Sequence, residues 1–237
     1  MNTWILRYLQ ARKFPYLNHY VIEVNNLNEL MKVFGWKLRP TLRNRTVYEF
    51  EHSEDLNERR IRDAEVLGVA ACNTKPSICL DIGTGFGHSA ALMALNAPQS
   101  QVHTVNILPE DMHKGGKLTT GTLKKEEIGA YYKEQGLINI TQHFANTARW
   151  TPNIGNIDVA FIDGCHDTKF VYNDTKIVLK HMRQGSFVLW HDFNLDLVDK
   201  YPWIRSVCAG VEKLFAHGLL NGQIFHVRDS WIRVYRV

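Results

Sequence analysis

The chain has 237 residues, 45% of them apolar and 22% charged, with a formal net charge of +4. That length supports one large buried core, and the balanced composition excludes wholesale disorder. The mild positive charge admits an anionic ligand but provides no dense basic stripe for nucleic acid.

No apolar run approaches the roughly 20 residues of a spanning helix, so no membrane partner is expected. The amino end has a three-residue apolar burst and no small-residue cleavage site, so no secretory signal is expected either. The four cysteines, Cys72, Cys79, Cys165 and Cys208, form no CxxC pair. They read as reduced thiols of a cytoplasmic protein.

Residues 1–56 are rich in aromatics: Trp4, Tyr8, Phe14, Tyr16, Tyr20, Phe34, Trp36, Tyr48 and Phe50. Arg39, Arg43 and Arg45 cluster around Pro40. The stretch is too short for its own core, so it reads as a cap or oligomer arm, or as cover for one edge of a sheet. Its aromatics favour a homo-oligomer. From Ser53 the spacing of Leu56, Ile61, Ala64, Leu67 and Ala71 predicts a helix that Pro76 stops. Strands are expected at 77–82, 101–107, 138–144, 157–163 and 186–191, with helices near 87–97, 123–136, 167–183 and 203–217. That alternation predicts a mostly parallel sheet covered on both faces. Residues 111–122 are glycine-rich and polar and read as a mobile loop. The last run, QIFHVRDSWIRVYRV, predicts an antiparallel hairpin that completes a seven-stranded mixed sheet. The division is thus an extension over 1–56 and a domain over 57–237.

The strongest motif is CLDIGTGFGHSA, residues 79–90. An apolar strand leads to Asp81, then to Gly83, Gly85 and Gly87, then to a helix start. Closely spaced glycines let backbone approach a ligand, and the helix start offers unpaired N–H groups. The spacing is GxGxG, with His88 where a dinucleotide fingerprint has its third glycine, which disfavours a pyrophosphate cradle. An acid two residues before the first glycine suits a ligand carrying an ammonium group.

DIGTGFGHSA resembles the first motif of class I S-adenosylmethionine-dependent methyltransferases. IDVAFIDGCHDTKFVYNDTKIVLKHMRQGSFVLWHDF, residues 157–193, is similar to the macrocin-type and other sugar O-methyltransferases, the family 24-like branch. The resemblance covers roughly residues 57–237 and implies a Rossmann-like fold, S-adenosylmethionine as donor and a hydroxyl of a small molecule, a sugar or natural-product glycoside, as acceptor. It implies that Asp81, Gly83, Thr84, Gly85 and Gly87 line the donor's methionine part and that Ser89 approaches its carboxylate. Asn106 stands where the family keeps an acid for the ribose, and Glu110 could substitute if its loop folds back. Asn146 and Thr147 stand where the family contacts the adenine, with a loop cap the equal alternative for Asn146.

Asp163 ends one expected strand and His191-Asp192 ends the next, so their side chains should meet in one crevice. Asp163 is counted with the donor site as well. Such a set suits Mg²⁺ or a similar divalent ion, although a histidine nitrogen favours softer metals. Either His191 ligates with Asp163 and Asp192, or it points away, or the site is metal-free and works by hydrogen bonds. His166, three residues past Asp163, stands where the resembling enzymes have a proposed general base. The alternative is that it caps the following helix. Asp174 reads as a helix-face residue, and Cys165 as a small spacer. The rival functions are a nicotinamide-dependent oxidoreductase on a similar fold and a non-catalytic S-adenosylmethionine-binding protein.

Overall fold

The computed structural model describes residues 13–43, 54–119 and 123–237. Trp4, Tyr8, Arg45, Tyr48, Phe50 and Ser53, singled out above, lie outside the described residues. The strands are β1 (Val21–Val24), β2 (Ile78–Ile82), β3 (Gln101–Asn106), β4 (Ile140–Phe144), β5 (Ile157–Ile162), β6 (Met182–Trp190), β7 (Ile224–Val227) and β8 (Arg233–Arg236). They form one sheet in the order β1-β7-β8-β6-β5-β2-β3-β4. β2 to β6 pair in parallel, and β8 is antiparallel to both of its neighbours, so the C-terminal run is the expected hairpin. β5 is buried at all six positions, as a central strand covered on both faces must be.

The helices are α1 (Pro15–Tyr20), α2 (Leu27–Phe34), α3 (Glu54–Thr74), α4 (His88–Asn96), α5 (Ala130–Glu134), α6 (Thr168–Lys180) and α7 (Pro202–Ala216). Leu30 of α2, Leu67 of α3 and Met93 of α4 pack on one face of the sheet. Leu17 of α1, Val178 of α6 and Ile204 of α7 pack on the other. No helix among the described residues is long and apolar enough to cross a membrane.

The structure adds an eighth strand to the expected seven. It comes from the aromatic extension: β1 lies parallel to β7 and closes that end of the sheet. The extension is anchored by polar caps as well as by apolar side chains. Asn26 accepts from the Glu29 N–H at the start of α2, and Gly35, at φ +68°, ends that helix. The Glu212 carboxylate on α7 accepts from the backbone N–H groups of Tyr16 (3.0 Å) and Leu17 (2.9 Å), which are orphan donors of the first turn of α1.

Two boundaries differ from the periodicity. The helix expected over 123–136 shrinks to five residues. The N–H groups of Gly129 and Tyr131 donate instead to the carbonyls of Gly85 and Phe86. α6 ends at Lys180, because the Ile157 N–H bonds the His181 carbonyl at 2.8 Å and draws the chain into β6. Within the expected 111–122 loop, Pro109–Lys114 closes into a 3₁₀ turn.

Removing the Leu17 side chain from its fully buried seat should cost about 2–4 kcal/mol in Leu17→Ala. Glu212→Ala should cost about 1 kcal/mol, the usual worth of a helix cap. Urea denaturation of both variants measures these values; an unchanged midpoint for Leu17→Ala would show that α1 is not docked.

Candidate active site

The parallel strands place their carboxyl ends along one edge. Strand order reverses between β2 and β5, where an open α/β sheet leaves its ligand crevice. Gly83, Gly85 and Gly87 follow β2, with φ values of +107°, +51° and +94°. These are left-handed conformations that favour glycine. The neighbours of the three differ. A Cβ on Gly83 would stand 2.0 Å from the Asp163 carbonyl oxygen, and one on Gly87 would stand 2.5 Å from the Tyr132 ring. Beside Gly85 nothing lies within 4 Å, so this residue faces open space.

Asp81 sits behind the turn. It is fully buried; Ser89 donates to one carboxylate oxygen (2.9 Å) and Thr104 to the other (2.7 Å). Burial pushes its pKa up to about 7, against the pull of those two hydroxyls. Thr84 is held by the hydroxyl of Thr104 (2.7 Å) and the amide of Gln142 (3.0 Å). The next helix, α4, starts at Gly87 with no side-chain cap.

Across the crevice, β5 ends at Asp163 and β6 leads into His191 and Asp192. Consecutive strand side chains point to opposite faces. Asp192 escapes that alternation with φ +53°, and both residues turn to one centre. One ligand atom each from Asp163, His191 and Asp192 lie within 4.8 Å of one another. His191 Nδ1 is 3.4 Å from Asp163 and 3.6 Å from Asp192. Those gaps are long for hydrogen bonds. They approach the roughly 3.0–3.4 Å between neighbouring ligands of an ion with bonds of about 2.1 Å. Asp192 Oδ1 and His191 Nδ1 are buried without a hydrogen-bond partner. The donor set and these orphaned atoms fit a divalent cation.

His166 is 4% exposed, and its Nε2 lies 3.1 Å from Asp192 and 3.4 Å from Asp163. Burial opposes a charge on His166, but the hydrogen bond to Asp163 and the two carboxylates prevail and raise its pKa. Burial likewise opposes His191, whose pKa the same carboxylates raise well above the ordinary value. Burial alone would raise Asp163; the charge on His191 and the histidine hydrogen bonds hold it below the usual carboxylate range.

Two cavities flank this centre. The smaller, about 170 Å³, is lined by Gly83, Gly85, Asn106, Asn146, Thr147 and Asp163, among others. The larger, about 430 Å³, is lined by Arg60, Thr84, Gly85, Ser89, Asp163 and His191, among others. Asp163 and the glycine turn are walls of both. Of the residues expected at the site, four stand apart from their expected contacts: Gly87 lines neither cavity and packs on Tyr132 instead. Asp81 lines neither cavity, because both of its oxygens are spent on Ser89 and Thr104. Asn106 lines the smaller one, but its amide accepts from the Gly85 N–H (3.2 Å) and donates to the Ile107 carbonyl (2.8 Å). His166 lines neither cavity, and the helix cap falls on Asp167 instead. Glu110, in the 3₁₀ turn, does not line the cavity; Pro109 and Met112 do. Asn146 combines both readings, forming the wall while capping its own loop through the Ala148 N–H (3.0 Å). Asp174 is on the buried face of α6, and burial pushes its pKa up to about 7.

The residue that sequence reasoning missed is Asp63 on α3. Its Oδ2 is 3.2 Å from His191 Nε2, and its Oδ1 accepts from the Ser230 hydroxyl and the Trp231 N–H, both at 2.7 Å. The available signal was an acid between Ile61, Ala64 and Leu67 on the apolar face of its helix.

The crevice at the sheet's switch point, with its glycine turn and uncapped helix, defines a Rossmann-like methyltransferase fold. Residues 80–193 match the family 24 model described as a methyltransferase domain. The fold is similar to that of a putative O-methyltransferase from Klebsiella pneumoniae, at 16% identity and a TM-score of 0.57, over 89% of this chain and 94% of that one. It is similar to the O-methyltransferase TomG from Streptomyces achromogenes in complex with SAM, at 14% identity and a TM-score of 0.53, over 81% and 93%. An O-methyltransferase from Bacillus cereus in complex with SAH matches at 13% identity and a TM-score of 0.53, over 97% and 99%. No curated relative matches the sequence. Residues 80–193 thus match a methyltransferase domain, and the chain has the Rossmann-like fold of these O-methyltransferases.

The two glycines should separate folding from binding. In Gly83→Ala the new methyl meets backbone, so β2 and β5 must part; a loss above about 3 kcal/mol or a failure to fold is expected. Gly85→Ala should fold, with about 1 kcal/mol of left-handed strain, and bind S-adenosylhomocysteine at least tenfold more weakly by calorimetry. Tight binding in a folded Gly85→Ala would remove the turn from the donor site.

Asp81 yields a pH dependence. Its folded pKa of about 7 lies above the ordinary 3.8, so the folded state holds a proton that the unfolded chain has lost. Stability therefore falls as pH rises between those values. Asp81→Asn lacks that loss. Relative to wild type, its unfolding free energy should rise by about 2–3 kcal/mol between pH 5 and pH 8, measured by denaturant titration. A difference independent of pH would show that Asp81 ionises as freely in the fold as in the open chain.

Proposed function

We propose that the protein transfers the methyl group of S-adenosylmethionine to a hydroxyl of a small-molecule acceptor, a sugar or natural-product glycoside, at a centre held with a divalent ion. The observation that carries this reading is that Asp163 walls both cavities, so the glycine turn and, from the Asp163–His191–Asp192 cluster, Asp163 and His191 line adjoining space. The sugar preference rests on the likeness of residues 157–193 to sugar O-methyltransferases. Residues 57–237 form the transferase domain in this reading, and residues 1–56 are an extension whose described part edges the sheet. The free cysteines suit a cytoplasmic setting.

The donor supplies an electrophilic methyl on sulfur. Gly85 and its neighbours give it backbone contact without a side chain in the way. The uncapped start of α4, with the Ser89 N–H in its first turn, would receive its carboxylate, while Asn146 and Thr147 would border its base. Asp81 acts indirectly, by fixing Ser89. On the acceptor side, Asp163, His191 and Asp192 would hold a divalent ion, which would supply Lewis acidity that lowers the pKa of a hydroxyl. His166, beside both aspartates, takes the proton. Most of the rate gain comes from holding oxygen, methyl carbon and sulfur in line.

Turnover on a panel of sugar, catechol and aliphatic alcohol acceptors, with and without chelator, tests this. His166→Ala should keep S-adenosylhomocysteine binding, lose about 10²–10⁴-fold in kcat, and recover part of it at high pH. Full activity in chelator would leave Asp163 and Asp192 as hydrogen-bond acceptors only. Wild-type turnover in His166→Ala would leave His166 as a partner of the two carboxylates.

A further inference from the structure

The ring of His191 is gripped from both sides. Nε2 faces the Asp63 carboxylate at 3.2 Å, and a carboxylate oxygen can only accept, so Nε2 carries the hydrogen. Nδ1, the other nitrogen, faces Asp163 and Asp192. Asp63 is itself fixed: its second oxygen takes the Ser230 hydroxyl and the Trp231 N–H, which ties α3 to the turn between β7 and β8. This is a carboxylate–histidine pair whose free nitrogen opens on a ligand cluster.

We infer that Asp63 is a positioning residue which sets the tautomer of His191, so that Nδ1 joins Asp163 and Asp192 in a mixed nitrogen–oxygen centre selecting a first-row transition ion over Mg²⁺. The inference rests on the metal reading proposed above and adds the identity of the ion and the residue that determines it. Mg²⁺ is held through oxygen and keeps its waters, whereas an imidazole nitrogen favours Mn²⁺, Co²⁺ or Zn²⁺. Asp63 touches no reacting atom; it acts through the ring.

Asp63→Asn separates tautomer from architecture. Its carbonyl oxygen can keep the Ser230 and Trp231 bonds, while its NH₂ meets Nε2, which must then accept. The ring hydrogen moves to Nδ1 and blocks the ligand lone pair. The full chain, stripped with chelator, is titrated by calorimetry with MgCl₂, MnCl₂ and CoCl₂. Wild type should bind Co²⁺ and Mn²⁺ at least tenfold more tightly than Mg²⁺. In Asp63→Asn, Co²⁺ affinity should fall 10–100-fold and the Co²⁺ visible spectrum should change. The melting temperature and S-adenosylhomocysteine affinity should stay. His191→Asp should shift preference toward Mg²⁺. If Asp63→Asn does not fold, ¹⁵N-histidine NMR of the Zn²⁺-loaded wild type decides, with His191→Gln assigning the signal: Nδ1 should bind metal and Nε2 should keep its hydrogen. Unchanged Co²⁺ binding in folded Asp63→Asn, or Zn²⁺ on Nε2, overturns the role of Asp63 alone. Mg²⁺ binding as tight as Co²⁺ in wild type overturns the selectivity and spares the metal reading. If no ion binds while S-adenosylhomocysteine does, both fall.

Discussion

The site depends on how closely β2 and β5 approach at the point where strand order reverses. Gly83 lies against the Asp163 carbonyl with no room for even one carbon between them. That contact joins the glycine turn to the cluster of Asp163, His191 and Asp192. The glycine turn belongs to β2 and its helix, and the carboxylate belongs to β5. The Gly83 N–H bonds Val105 on β3, and the Asp163 N–H bonds the Ile82 carbonyl, so three strand ends are locked at one level. A side chain at position 83 would cost packing and would also part the glycine turn from the Asp163 cluster.

Around that contact the residues divide by what limits them. Asp81, Thr84, Thr104 and Ser89 form a buried hydroxyl–carboxylate set that shapes the turn from behind. A buried carboxylate is tolerable only when its oxygens are satisfied. The two hydroxyls do so, and desolvation still lifts its pKa. On the other side, Asp63, Asp163 and Asp192 surround His166 and His191. Here charge overrides desolvation, and both histidines are pushed toward the protonated form. One cluster holds an acid whose pKa burial raises to about 7, and the other a network of carboxylates and histidines, within one crevice. The first gives shape; the second can take up or release protons and cations.

The sequence made some of this readable and hid the rest, for physical reasons. Glycines at fixed spacing after a buried strand have few explanations, so the turn at 83–87 was legible. Polar residues at strand ends are equally conspicuous, so Asp163, His191 and Asp192 could be brought together by topology alone. The seven expected strands follow from apolar runs of ordinary length. β1 did not, because four residues with one buried side chain make no periodic signal. The short α5 escaped for another reason: its would-be first-turn donors are spent on the glycine turn, a tertiary choice that local pattern cannot reveal. Asp81, Asn106 and His166 were placed in the right region, but the direction of their polar atoms was not legible. Which partner satisfies a buried group depends on neighbours far along the chain, such as Thr104 for Asp81 and Asp192 for His166.

Asp63 shows what that long-range dependence means for the enzyme. It is 128 residues from His191 and lies outside the matched methyltransferase segment. An acid on the buried face of α3 would be a liability without partners. It has three: Ser230, Trp231 and His191. The first two come from the C-terminal hairpin turn and the third from the end of β6. α3, the turn between β7 and β8, and His191 of the Asp163 cluster are therefore one hydrogen-bonded unit. The glycine turn takes its contacts from α5 and from β3, β4 and the end of β5, all within the matched segment. The centre around Asp163 and Asp192 needs the whole length from α3 to β8. The glycine turn and the cluster of Asp163, His191 and Asp192 thus differ in how much of the chain must be folded to build them, and a change far outside the matched segment acts first on the cluster.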